Sequence, residues 1–410
     1  MKREPSSFRN YSPSFMNYLI IGGGIAGTTA AEELRKHDPQ ADITLVSEEY
    51  HPLYSRVLLS HYIKGKIPRE RVFLKKEQWY AQQRIEWLPG VIAQHLDPRN
   101  KFVGLSNGRE YPYDKLLIAT GAQVRSIEDD AKGVSYFRTL DDADHFLQLV
   151  MQHQGIQRGA VYGSGFIACE YINLFHHFNI PTTLVYRGNS FWNRILEPVC
   201  GELITRYISQ QGVELHPNEE FRTILGEKEL EGFTTNKQEY SAHILGIGIG
   251  IEPQFFWLKQ AGVEVNLGIR ANEYLETSVP DIFTAGDVAE FFDPIVGRQL
   301  SVGNWMNAMS QARVVAKNMI GIKTPFNLVS SYATNILGLE IIFVADVDKA
   351  SADQIHFVGS FEQGGITQVF ERNGQVVGGV MIGRNKDRAP VTQAIGHKHS
   401  WVQLQEELLF

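Results

Sequence analysis

Residues 17–27, NYLIIGGGIAG, join a short apolar run to glycines spaced G-x-G-x-x-G. The run 18–21 suits a strand buried on both faces of a parallel sheet. Gly22 permits a tight turn, Gly24 lets the backbone approach a pyrophosphate, and Gly27 lets the next helix press against the strand. Residues 28–37 (TTAAEELRKH) have helical composition, and residues 43–46 give a second strand. The acidic pair Glu48 and Glu49 follows roughly 20 residues after the glycines, where a ribose-binding carboxylate belongs. The helix N-terminus adds free N–H groups and the positive end of its dipole. Three glycines alone would equally suit a ligand-free strand–helix turn. The strand, helix and acid at these distances favour a bound dinucleotide.

The pattern occurs a second time. Residues 160–162 form a strand, Gly163, Gly165 and Ala168 give G-x-G-x-x-A, a helix runs through residue 178, and residues 182–185 form the next strand. Alanine is tolerated at the third position, which demands only close packing. A duplicated βαβ unit implies two dinucleotides. The copies differ where the ribose should sit. Val46 is followed by Ser47 and Glu48, and Val185 by Tyr186 and Arg187. A carboxylate there accepts from ribose hydroxyls and repels a 2′-phosphate, whereas an arginine attracts it. Arg194 can assist. The alternative for Arg187 is a loop arginine with no ligand.

A chain of 410 residues is too long for one core and suggests two or three domains. No apolar run approaches the roughly 20 residues of a membrane span. Residues 1–16 are polar and unlike a signal peptide. Two cysteines, Cys169 and Cys200, cannot build a disulfide framework, a zinc site or an iron–sulfur cluster. Cys169 reads as a small buried residue, and the expected compartment is the reducing cytoplasm. The net charge of −7 gives no support for nucleic-acid binding.

Between the units, Arg56 follows Tyr54 and either neutralises a pyrophosphate or is a solvated loop residue. The run 64–76 is basic, which is ordinarily a solvated face and otherwise a docking surface for an acidic partner. Residues 116–121 (LLIATG) return the chain toward the first nucleotide site. A linker from about residue 124 leads to a helix over 140–154. Residues 243–251 (HILGIGIGI) read as a glycine-broken strand. Residues 274–289 read as a turn, a buried strand and then Gly286-Asp287 opening a helix. Residues 305–321 are helical. Beyond Pro325 the chain is strand-rich, as in a third, α+β domain.

The order of glycine fingerprint, YSR-V-LLS, IATG, second fingerprint, IGIGIEP and TSVPDIFTAGD resembles the two-dinucleotide FAD/NAD(P)H reductases of the pyridine nucleotide-disulfide oxidoreductase family. The stretches HPLYSRVLLSHYIKG and NWMNAMSQARVVAKNMIG are most similar to rubredoxin and ferredoxin reductases and to the flavin module of NAD(P)H nitrite reductases. The resemblance covers roughly residues 17–390. It implies an α/β fold with two Rossmann-like domains and a C-terminal α+β domain. The FAD domain would span 17–123 and 252–322, the NAD(P)H domain 124–251 and the C-terminal domain 325–410, with 1–16 an extension. FAD would meet Gly22, Gly24, Ile25, Ala26, Gly27, Glu48 or Glu49, Arg56, Ala93, Ala119, Thr120, Gly121, Gly286 and Asp287, with Trp305 near the flavin. NADPH or NADH would meet Gly163, Gly165, Phe166, Ile167, Glu170, Arg187 and Gly248. A homodimer is among the assemblies left open.

The departures narrow the chemistry. Disulfide reductases of this fold carry a C-x₄-C pair after the first acidic strand, and peroxidases, oxidases and coenzyme A–disulfide reductases a cysteine within the segment matching 51–61. This chain has neither. Ferredoxin-type reductases often place a lysine beside the flavin where this chain has His61, which either contacts the flavin edge or is an inert loop histidine. Without a thiol relay, reduced flavin must deliver electrons directly. The leading expectation is single-electron delivery to a small iron–sulfur, rubredoxin-like or haem protein. Direct reduction of a quinone, dioxygen or another small acceptor stays open, as does a flavoprotein sensor that uses nucleotide binding as a switch.

Overall fold

The computed structural model describes residues 15–127, 131–152 and 158–408. The expected N-terminal extension 1–16 therefore lies, except for its last two residues, outside the described residues. Three five-stranded sheets organise the rest. The first is wholly parallel, in the order Ile282–Thr284, Lys115–Ile118, Asn17–Ile21, Asp42–Ser47, Ile85–Pro89. Every residue of its central strand Asn17–Ile21 is buried, because both faces are covered. Tyr18, Ile20, Leu45 and Leu117 meet Ala30, Leu34, Ala312 and Val315 of the helices Ile25–His37 and Trp305–Met319. Leu19, Ile21, Val46 and Leu116 meet Leu96, Val103 and Leu105 of an antiparallel three-stranded ribbon, Ala93–Asp97, Phe102–Leu105 and Glu110–Pro112.

The second sheet repeats the plan in the order Glu214–Pro217, Thr182–Tyr186, Gly159–Tyr162, Ile244–Ile247, Val134–Ser135, again parallel. One face packs on the helices Phe166–His177 and Pro198–Gln210, the other on the ribbon Phe221–Leu225, Gly232–Thr235, Glu239–Ser241. The chain crosses between the two sheets on adjacent strands, Gln123–Val124 paired antiparallel with Ile251–Glu252. The third sheet is antiparallel, Ser331–Ile336, Leu339–Ala345, Gln375–Ile382, Gly365–Arg372, Gln354–Ser360. The helices Arg388–His397 and Trp401–Leu408 cover it with Val391, Ile395 and Leu404.

Two local expectations change. Gly286-Asp287 opens no helix but a turn into the strand Ala289–Asp293, which pairs with Ile269–Ala271 and Arg298–Leu300. The aromatic-rich sequence AEFFD suits a pleated surface, and Asp293 closes its turn by accepting from the N–H groups of Ile295 and Val296. The stretch 243–251 is not one broken strand. Ile244–Ile247 belongs to the second sheet, and after a turn at Gly250 (φ 102°) Ile251 joins the crossover pair. The basic run 64–76 is in part a solvated face, as its composition suggests, with Lys66, Arg71 and Lys76 exposed, and in part paired. Arg69 is bound to Asp144 at 2.7 Å and Lys75 to Glu32 at 3.1 Å, across elements. Among the described residues, no helix is long and apolar enough to cross a membrane.

Candidate functional site: two glycine loops and the bridge between them

In an open parallel sheet ligands gather at the carboxyl ends of the strands, and the chosen residues collect there. Gly22 takes φ 122° and donates to Val46 O at 2.8 Å, while Ala119 N donates to Ile21 O at 2.8 Å. A Cβ on Gly22 would fall on Ala119 O, so the first strand and the strand ending at Ile118 close on each other only through a glycine. A Cβ on Gly27 would fall on Gly22 O. Gly24 differs, because nothing lies within 4 Å of where its Cβ would stand. The loop is tight where helix meets sheet and open where a phosphate would approach. Gly24 caps the helix Ile25–His37 without a side-chain bond, leaving the first N–H groups, including those of Ala26 and Gly27, for a ligand.

The other chosen residues surround this loop. Glu48 is exposed just past the strand Asp42–Ser47 and accepts from Gln123 Nε2 at 3.1 Å. Val91 N donates to Ser47 O at 2.9 Å, which brings the ribbon that begins at Ala93 beside the same strand end. Glu49 turns inward to Arg56 and Tyr54, and Arg56 also donates to Arg138 O. Thr120 is exposed, and a Cβ on Gly121 would stand 3.3 Å from Arg138 Nη2. Arg138 in turn pairs with Asp287 at 3.3 Å. Gly286, at φ 85°, lies against Ala26 and Ala308, and its N–H donates to Gln311 at 2.7 Å. Gly303 faces Asp287, and Trp305 follows as the half-buried first residue of its helix, after the capping Asn304.

The second loop is wired identically. Gly163 takes φ 132° and donates to Val185 O at 2.9 Å, and Gly248 N donates to Tyr162 O at 2.8 Å. A Cβ on Gly163 would fall on Gly248 O, and one on Gly248 would press 3.2 Å from Ala168 N and 3.4 Å from Ile167. Around Gly165 there is again nothing within 4 Å. Because Gly22 bonds Val46 and Gly163 bonds Val185, Glu48 and Arg187 hold equivalent positions by hydrogen bonding as well as by sequence. Both are exposed.

One acid links the units. Glu170 projects from the helix Phe166–His177 toward Leu59–Ile63. Burial raises its carboxyl above the usual range, against the opposing pull of Lys64 and a hydrogen bond from Ser60. Burial lowers the Lys64 ammonium, against the pull of Glu170. His61, between Ser60 and Lys64, is exposed. Arg138, Ser60, Lys64 and Gln311 were missed by sequence reading. None sits in a glycine or acid pattern, and each reaches the site only through a distant element. Cys169 and Cys200 are fully buried and unpaired. Burial pushes the Cys200 thiol up to about 12 and raises that of Cys169 as well, so neither offers a thiolate at neutral pH.

The sequence profile of the pyridine nucleotide-disulphide oxidoreductases matches residues 16–312. The chain belongs to this family. It is a nucleotide-dependent oxidoreductase, and the loops fit the family's cofactors, FAD and NAD(P)H, since each has the open cradle at its second glycine that a pyrophosphate requires. Among its relatives, the NAD(P)H nitrite reductase of Bacillus subtilis is 27% identical over 376 residues, 90% of this chain but 46% of that protein. The chain thus spans under half the length of that relative. The ferredoxin–NAD(+) reductase component of the 3-phenylpropionate/cinnamic acid dioxygenase of Photorhabdus laumondii is 26% identical over 374 residues, 90% of this chain and 93% of its own. Putidaredoxin reductase, in its covalent complex with putidaredoxin, superposes with a TM-score of 0.85 at 25% identity, covering 93% of each chain.

Proposed function

We propose that the protein takes reducing equivalents from NAD(P)H at the second glycine loop and passes them, through FAD at the first, singly to a small iron–sulfur, rubredoxin-like or haem protein. The observation that supports this most is the pairing of two equivalently wired, open glycine loops, with no accessible thiol between them. In this reading the FAD domain is 17–123 with 252–322, the NAD(P)H domain 124–251 and the C-terminal domain 325–410.

When bound, FAD supplies the conversion of a two-electron donor into single electrons. The chain supplies binding and alignment. The N–H groups after Gly24 and Gly165 meet the two pyrophosphates. Glu48 takes the adenosine ribose of FAD, with Ala93 beside the adenine. Asp287, held by Arg138, faces the ribityl hydroxyls. Arg56 acts through Glu49 and the Arg138 carbonyl, fixing the wall of the site rather than a free charge. Trp305 and His61 border the flavin, and Phe166, Ile167, Glu170 and Gly248 border the nicotinamide. Arg187 takes a 2′-phosphate, so NADPH is the preferred donor. A cytoplasmic setting belongs to the same proposal, in keeping with two free thiols.

The test is reduction of the bound flavin by NADPH, then turnover with ferricyanide and a [2Fe–2S] ferredoxin against menadione and dioxygen. Faster turnover with the one-electron acceptors is expected. Faster turnover with menadione or dioxygen would establish direct two-electron reduction instead. Slow flavin reduction and poor transfer to every acceptor would mark a sensor.

A further inference from the structure

Four aromatic rings fill the space between the second glycine loop and the C-terminal sheet. Phe166, the first residue after Gly165, packs on Trp192 at 5.2 Å between centroids, on Tyr332 at 5.5 Å and on Phe343 at 5.1 Å. Trp192 lies edge-on to Phe343 at 5.3 Å. Its conformation is costly in two ways. Its φ is 43°, in the left-handed region where a bulky side chain crowds the backbone. The residue is 8% exposed, and the buried indole N–H has no hydrogen-bond partner, so a desolvated donor is left unused.

The place of this residue suggests what the donor is for. The Trp192 backbone N–H donates to Ser164 O at 3.3 Å, the residue between Gly163 and Gly165. The segment 187–197 joins the strand Thr182–Tyr186 to the helix Pro198–Gln210 and carries the exposed Arg187 and Arg194. It therefore runs from the ribose position to the glycine loop. Strained residues with unmet donors gather where a bound partner relieves them.

We propose that Trp192 is a nucleotide-responsive residue of the second site. A pyridine nucleotide seated on the 163–165 loop draws the segment 187–197 into a position where the indole N–H donates to one of its phosphate or ribose oxygens. This inference rests on the reading of the second unit as the NAD(P)H site.

The experiment uses the flavin-loaded full chain with NADP⁺ and NAD⁺, which bind without reducing it. Trp192→Phe keeps a ring over Phe166 and removes the donor. Tryptophan emission of the wild type should change as the preferred nucleotide saturates, and that change should be lost in the variant. The variant should bind this nucleotide about three- to tenfold more weakly by calorimetry, the effect of one hydrogen bond. Flavin content and melting temperature should stay the same. Equal affinity in the two proteins, or an emission change that survives in the variant, would overturn the inference and leave Trp192 as packing between sheets. Failure of both nucleotides to bind even the wild type would instead remove the reading of the second unit, and this inference with it.

Discussion

Arg56 Nη2 lies 2.5 Å from Glu49 Oε1, and Tyr54 donates to the other oxygen of the same carboxylate. Of two adjacent acids, one is thus committed to the interior and the other, Glu48, stands open at the strand end. Glu48→Ala should weaken FAD by about 1.5–3 kcal/mol, the value of a charge-assisted hydrogen bond, or roughly ten- to a hundredfold in Kd. Glu49→Gln should leave FAD affinity within a few-fold and lower the melting temperature instead. Flavin titration and thermal melts of both variants check the division.

Gly24 and Gly27 predict different failures. With open space around Gly24, Gly24→Glu should fold and emerge without flavin, because a charged side chain enters the pyrophosphate position. Gly27→Val should not fold, since its Cβ would fall on Gly22 O. Circular dichroism and flavin absorbance separate the outcomes. A folded, fully yellow Gly24→Glu protein would refute the assignment of the first loop.

At the second loop, Arg187 stands where the first has Glu48. NADPH should exceed NADH in kcat/KM by roughly ten- to a hundredfold, from a contact of about 1.5–3 kcal/mol. Arg187→Glu should reverse that order with flavin content unchanged. A wild-type preference for NADH that persists in the variant would place Arg187 outside the site.

Neither thiol should matter for turnover. Cys169→Ser and Cys200→Ser should each change kcat by no more than a few-fold, with some loss of stability, because a hydroxyl replaces a small apolar group in a closed core. A loss beyond about a hundredfold, roughly 2.7 kcal/mol, would reveal a thiol relay.

Glu170 carries a pH signature. Burial raises its pKa in the folded protein, so the folded state binds its proton more tightly than the unfolded chain does. That contribution to stability is fully present below the unfolded carboxyl's pKa and is lost as pH rises through the raised value. Glu170→Gln should remove this decline. Melting temperatures of both proteins between about pH 4 and pH 8 test it, and parallel curves would contradict it.

The two strand–loop–helix units and the opposite charges of Glu48 and Arg187 were legible in the sequence. Each depends on neighbours within one βαβ unit, where glycine spacing and apolar periodicity act directly on the backbone. The inward turn of Glu49 was not legible, because it needs Arg56 seated beneath the carbonyl of Arg138. Nor was the pairing of Arg138 with Asp287, 149 residues apart, or the approach of Lys64 and Ser60 to Glu170. The strand at Ala289–Asp293 formed where the local sequence suggested a helix, since partners on both sides supplied hydrogen bonds that no local signal records. Local spacing sets where a chain turns and what it can expose to a phosphate. Which charges stay free for a ligand is decided only when distant elements pack together and neutralise the rest.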